Sequence, residues 1–187
     1  MRIKDMLKAT KMKKHNFPED MICQAELLLQ TVDEAGHGVS EKRLVEKMDE
    51  LLTEKQRLLL WEIGGSCRGG ETGRQAKILA QELAGKPLAE KIELMNQNEH
   101  MFETRLNEDG TITVYCYCHC LQHRFNNPDT AKLPSAYGCA AGAHLYILKT
   151  ALGVKAKIKS IDYPQENDGK QHMTFTVEII DDGQSCD

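Results

Sequence analysis

The chain has 187 residues, 41% hydrophobic and 28% charged, which suits one solid domain with a helical extension. A net charge of −4 argues against a nucleic-acid binder, which is usually basic. No apolar run approaches the roughly 20 residues that span a bilayer, and no apolar segment follows the basic N-terminus, so neither a membrane anchor nor a secretory signal is expected.

Residues 1–14 carry Arg2, Lys4, Lys8, Lys11, Lys13 and Lys14 against Asp5. A solvated helix or tail accounts for this; a contact with an anionic partner is the sharper reading. Pro18-Glu19-Asp20 suits a helix first turn, with Met21, Ile22, Ala25, Leu28, Leu29 and Val32 at helical spacing until Gly36-His37-Gly38. Cys23, alone among apolar neighbours, reads as a small core residue. Ser40 is a suitable N-cap for a second helix with Leu44, Met48, Leu51 and Leu52 on one stripe. Thr53-Glu54-Lys55-Gln56 is a capping box opening a third helix through Leu58, Leu60, Trp61 and Ile63.

That helix ends in Gly64-Gly65-Ser66-Cys67-Arg68-Gly69-Gly70. Glycine lets backbone approach a ligand closely, so Cys67 and Arg68 are ligand-binding candidates, Arg68 for a carboxylate. A plain glycine helix stop with a bystander cysteine explains the loop equally well. The Gly-Lys-Ser/Thr ending of a phosphate-binding loop is missing. Two more helices are expected, Thr72 to Ala84 with Ala76, Ile78, Leu79 and Leu83 inward, and one through Leu88, Ile92 and Met95.

The pattern then changes. Phe102 to Leu106 and Thr111 to Tyr115 alternate in polarity around Asn107-Glu108-Asp109-Gly110, a strong hairpin signal. The second strand runs into Tyr115-Cys116-Tyr117-Cys118-His119-Cys120. A small-residue helix follows, opened by Gly138-Cys139 and closed by Leu152-Gly153. Strands are expected over Val154 to Tyr163 and Met173 to Ile180, with an acidic tail in which Cys186 has no assigned role. The fold class is α+β: a helical N-terminal half, residues 1–98, then an antiparallel sheet with one inserted helix, residues 99–187, packed as one globular unit.

Seven cysteines without an export signal read as thiols in a reducing cytoplasm, not as a disulfide framework. Three fall within five residues. On an extended strand Cys116, Cys118 and Cys120 share one face and Tyr115, Tyr117 and His119 the other. Residues i and i+4 of a straight strand lie about 13 Å apart, so one ion takes all three thiolates only where the chain bends. Cys116, Cys118, Cys120 and Cys139 are the candidate metal ligands, with His119, His123 or Cys67 able to complete four-coordination. Zinc is the expected ion. An iron–sulfur cluster fits less well, since ferredoxin spacings are missing.

A nucleophilic cysteine is the second hypothesis. Cys139 is expected at a helix N-terminus, where the dipole and free N–H groups activate a thiol and stabilise an oxyanion. His119 and His123 are the candidate bases. His144, five residues on from Cys139 in the same helix, falls off the face of that thiol. Simple packing of the thiols is the third hypothesis.

From Cys116 to Ile180 the order is cysteine-bearing strand, Gly138-Cys139, a helix ending Leu152-Gly153, strand, glycine turn, and a strand with Phe175. This resembles the C-terminal module of 4-vinyl reductase-type domains and of the related L-2-amino-thiazoline-4-carboxylic acid hydrolase-like proteins. Such domains end in Gly-Asp-x-x-Cys-x-Phe; here Asp168-Gly169 is reversed and Met173 takes the cysteine's place. The resemblance implies a small-molecule-binding domain with a cysteine-lined pocket in a cytoplasmic prokaryotic protein. The expected function is binding of a metal, a small molecule, or both at that pocket. The alternative is a cysteine-dependent hydrolase of a small amide-like or cyclic C–N substrate.

Overall fold

The computed structural model describes residues 7–14, 16–33, 41–64, 70–98, 102–116, 134–162 and 173–180. Among these are seven helices and four strands. They divide into two compact units, one of Met1–Ser66 with His119–Cys139 and one of Cys67–Cys118 with Ala140–Asp187.

The first unit holds α1 (Ala9–Lys14), α2 (Glu19–Asp33), α3 (Glu41–Leu51) and α4 (Glu54–Gly64). Leu7, Met12 and Phe17 are buried in one cluster with the inward stripes of α2 to α4, which include Leu28, Met48 and Trp61. Lys11, Lys13 and Lys14 of α1 stay exposed, as expected for a solvated basic face. The capping box forms as read. The Thr53 N–H donates to Gln56 Oε1 at 2.9 Å, and the Gln56 N–H donates to Thr53 Oγ1 at 3.3 Å. Two first-unit assignments change. Cys23 is exposed, because the buried stripe of α2 follows Met21, Ile22, Ala25 and Leu28 and leaves position 23 on the opposite side. Leu51 is also exposed, and Leu52 takes the inward place at the end of α3. Ser40 lies outside the described residues.

The second unit holds α5 (Glu71–Glu82), α6 (Leu88–Asn96), the strands β1 (Glu103–Leu106), β2 (Ile112–Cys116), β3 (Ala156–Asp162) and β4 (Met173–Ile179), and α7 (Pro134–Leu152) from Ala140 onward. The helices α5 and α6, grouped by sequence with the helical half, thus belong with the sheet. Ile78 of α5, expected inward, is exposed, while Ala76, Leu79 and Leu83 are buried.

The sheet order is β1-β2-β4-β3, with every neighbouring pair antiparallel. It follows that β2 and β3 run in the same direction with β4 between them, and that α7 is the crossover joining them. Alternation along the strands makes two faces. Thr104, Ile112, Val114, Cys116, Met173, Phe175 and Val177 are buried on one; Arg105, Thr113, Thr174 and Thr176 lie on the other. Burying Phe175 alone contributes about 1.5–3 kcal/mol. The hairpin closes at Asn107–Thr111, with Gly110 at φ +79°, a left-handed conformation that glycine adopts without penalty.

Helix α7 is buried over most of its circumference from Ala140 to Leu152, as its Ala, Leu and Ile content demands. It starts at Pro134, four residues before the glycine that the sequence suggested. Proline at a first helical position loses no hydrogen bond, so the helix begins there and not at Gly138. It ends at Gly153, φ +66°, where the Val154 N–H returns to the Lys149 carbonyl at 3.3 Å.

Candidate functional site

Strand β2 aims Cys116 inward. Ile112 and Val114 are fully buried at alternate positions, and Cys116 continues their row at 2% exposure. Across the ladder it pairs with Met173, the position where the resemblance described above places a cysteine. A thioether therefore stands opposite the thiol, and no second thiol stands there.

Facing Cys116 is His144, half-buried on α7. Its Nδ1 lies 2.6 Å from the Ala140 carbonyl, one turn earlier in the helix. A carbonyl only accepts, so Nδ1 carries a proton and donates it. In the neutral ring the lone pair then resides on Nε2. Two aromatic rings fix the imidazole further. Phe102 meets it edge-to-face at 4.6 Å between centroids, and Phe175 at 6.4 Å. Tautomer and ring plane are thus both set by residues of one compact unit.

The Cys116 Sγ is 3.7 Å from Nδ1 and 3.7 Å from Nε2. Equal distances place sulfur on the plane that bisects the ring through Cε1, off the in-plane axis of the Nε2 lone pair. The approach is close but not a linear hydrogen bond. Turning Cys116 about its Cα–Cβ bond is the motion that alters how sulfur meets Nε2.

Cys139 is the sixth residue of α7, counted from Pro134. The orphan N–H groups belong to the first four residues of a helix, so the backbone of Cys139 lies beyond the N-terminal position at which the sequence placed it. Its side chain, and Cys67, Arg68, Cys118, His119, Cys120 and His123, lie outside the described residues. Among the described residues no three His, Cys, Asp or Glu side chains gather as a metal cluster, and no helix is long and apolar enough to cross a membrane.

An open groove of about 660 Å³ lies on the other face of the sheet. Arg105, Asn107, Asp109, Thr111, Lys159 and Thr176 are among its lining residues. Asp109 accepts hydrogen bonds from the Thr111 hydroxyl at 2.6 Å and the Thr111 N–H at 3.1 Å. These bonds, with Lys159 nearby, hold its carboxyl below the usual carboxylate range. The groove is polar, shallow and separated from Cys116 by the thickness of the sheet.

Sequence reasoning missed the pairing of Cys116 with His144. It measured His144 against Cys139, the cysteine of its own helix. The available signal was strand alternation: Ile112, Val114 and Cys116 had to face whatever covers the sheet, and the apolar run holding His144 is that cover. No family model, curated protein or solved structure matches this chain.

Proposed function

We propose that this chain binds a metal ion, zinc, through a thiolate cluster that includes Cys116, with Cys118, Cys120 and Cys139 as the further thiolates, and that the same thiol-lined site receives a small molecule. The observation that supports this reading is the placement of Cys116: nearly fully buried at the end of β2, beside an imidazole held in one orientation. Three thiols within five residues of such a point supply the soft ligands that zinc takes. The ferredoxin spacings that would favour an iron–sulfur cluster are missing. The resemblance to 4-vinyl reductase-type domains supports the small-molecule part of the proposal, in a reducing cytoplasm where thiols persist.

Elemental analysis of purified full-length protein tests this, with thiols titrated before and after chelation. Stoichiometric zinc, and thiols that become titratable only once it is removed, are expected. Metal-free protein whose thiols titrate equally in both states would refute the proposal.

One observation favours a cysteine-dependent hydrolase as second reading. An imidazole with its lone pair on Nε2, oriented by a backbone carbonyl, is what a general base beside a thiol requires. That reading expects one thiol to be alkylated far faster than the others near neutral pH, in protein without metal.

A further inference from the structure

We infer that the polar groove on the face of the sheet opposite Cys116 binds a small zwitterion, an α-amino acid, with its carboxylate on Arg105 and its ammonium on Asp109. This site lies within the sheet-bearing unit and does not rest on the metal-binding proposal.

Three observations carry it. The first is register. Arg105, Thr113, Thr176 and Ser160 are successive partners across all four strands. Strands about 4.8 Å apart give this row a span of about 14 Å. The β3–β4 ladder slips between Ile158 and Ser160, with Lys159 as the extra residue. A bulge re-aims side chains, and here both Lys159 and Ser160 line the groove.

The second observation is how the polar groups are engaged. The Asn107 amide donates to the hydroxyls of Thr111 and Thr113 at 2.9 Å and 3.0 Å, and Asp109 Oδ1 accepts from Thr111, which fixes the hairpin turn. Asp109 Oδ2 stands 3.8 Å from Lys159 Nζ, beyond hydrogen-bond reach, and so keeps acceptor capacity. The side chains of Arg105, Thr176 and Ser160 engage no hydrogen bond or ion pair among the described residues.

The third is charge. Arg105 and Lys159 line the groove together with Glu108 and Asp109. The acids repel a plain anion and the bases repel a plain cation, whereas a zwitterion complements both. The planar guanidinium suits a carboxylate through two parallel N–H···O bonds, and the hydroxyls of Thr176 and Ser160 can join them.

Titration of the ¹⁵N-labelled full-length protein with L-serine tests this by NMR, read at the Arg105 Nε–H and at the Thr176 and Ser160 amides. Acetate, ethylamine and inorganic phosphate are the comparison probes. Saturable shifts at millimolar L-serine are expected, with each comparison probe at least about tenfold weaker, because it meets only half of the charge pattern. Arg105→Gln should raise the L-serine Kd about tenfold, and Arg74→Gln, on α5 and outside the groove, should leave it unchanged. Both arginines are exposed, so neither change removes a core group. L-serine that moves none of these signals overturns the inference, as does L-serine binding that survives Arg105→Gln. Acetate or phosphate binding as tightly as L-serine overturns the zwitterion assignment.

Discussion

Asn96 holds Thr104 through three hydrogen bonds. Its Oδ1 accepts from the Thr104 N–H at 2.9 Å and from the Thr104 hydroxyl at 2.8 Å, while its Nδ2 donates to the Thr104 carbonyl at 2.7 Å. The carboxamide thereby takes the place of a neighbouring strand. It satisfies the outer edge of β1 and fastens the end of α6 to the sheet. Asn96→Ala should cost about 1–3 kcal/mol, because it leaves buried backbone groups unpaired. Asn96→Leu should cost more than Asn96→Asp, since leucine leaves all three Thr104 groups unpaired whereas a carboxylate still accepts two of the bonds and loses only the donation to the carbonyl. Urea denaturation of the three variants checks the order; an Asn96→Ala protein as stable as the parent would contradict it.

In the helical unit, Arg57 plays a comparable part. Its guanidinium donates to the Leu52 carbonyl at the end of α3 and pairs with Asp49 at 3.4 Å, with both side chains largely buried. Arg57→Ala should therefore lower stability by about 1.5–3 kcal/mol, the range for a charged hydrogen bond. Arg57→Lys should recover only part, because a point charge cannot serve both partners in the same plane. Thermal unfolding of both variants is the measurement, and full recovery by lysine would refute the bidentate role.

Asp109 offers a test by pH. Its carboxyl is held down chiefly by the Thr111 hydroxyl, so the folded state binds its proton less readily than the unfolded chain. The associated stability is present above the unfolded carboxylate range and is lost as pH falls through the lower folded value. Thr111→Val should move the Asp109 midpoint upward and flatten the acid-side loss of stability below about pH 4. Carbon-detected NMR titration of the Asp109 carboxyl checks this. An unchanged midpoint in the variant would show that the hydroxyl is not the cause.

The cysteines differ enough in exposure to be told apart by chemistry. Cys23 is exposed on α2, whereas Cys116 is 2% exposed beneath α7. Mass-mapped alkylation of native protein should label Cys23 well before Cys116, and denaturant should equalise the two. Early labelling of Cys116 would mean that α7 lifts from the sheet readily.

Much of this was written in local sequence signals. The capping box at Thr53, the hairpin at Asp109-Gly110 and the alternation of β2 each depend on a few adjacent residues, and each forms as read. What local signals did not carry was partnership across the chain. Cys23 looked like core because its neighbours are apolar, yet the face a helix buries is chosen by what packs on it. Cys139 was placed at a helix N-terminus because glycine is a conspicuous breaker, while the quieter Pro134 starts the helix. The link between Cys116 and His144 joins positions 28 residues apart through a crossover helix, and no spacing rule within one element reveals it.

The strand order also governs when the Cys116 face is completed. The strand that closes the gap between β2 and β3 is the last of the four in the chain, and it brings Met173 and Phe175 to Cys116 and His144. During vectorial synthesis the β1–β2 hairpin has all its residues early, but the wall beside Cys116 is not built until Ile179 has emerged. The ring-held, water-shielded arrangement is a property of the finished sheet, so its assembly is coupled to translation of the final strand.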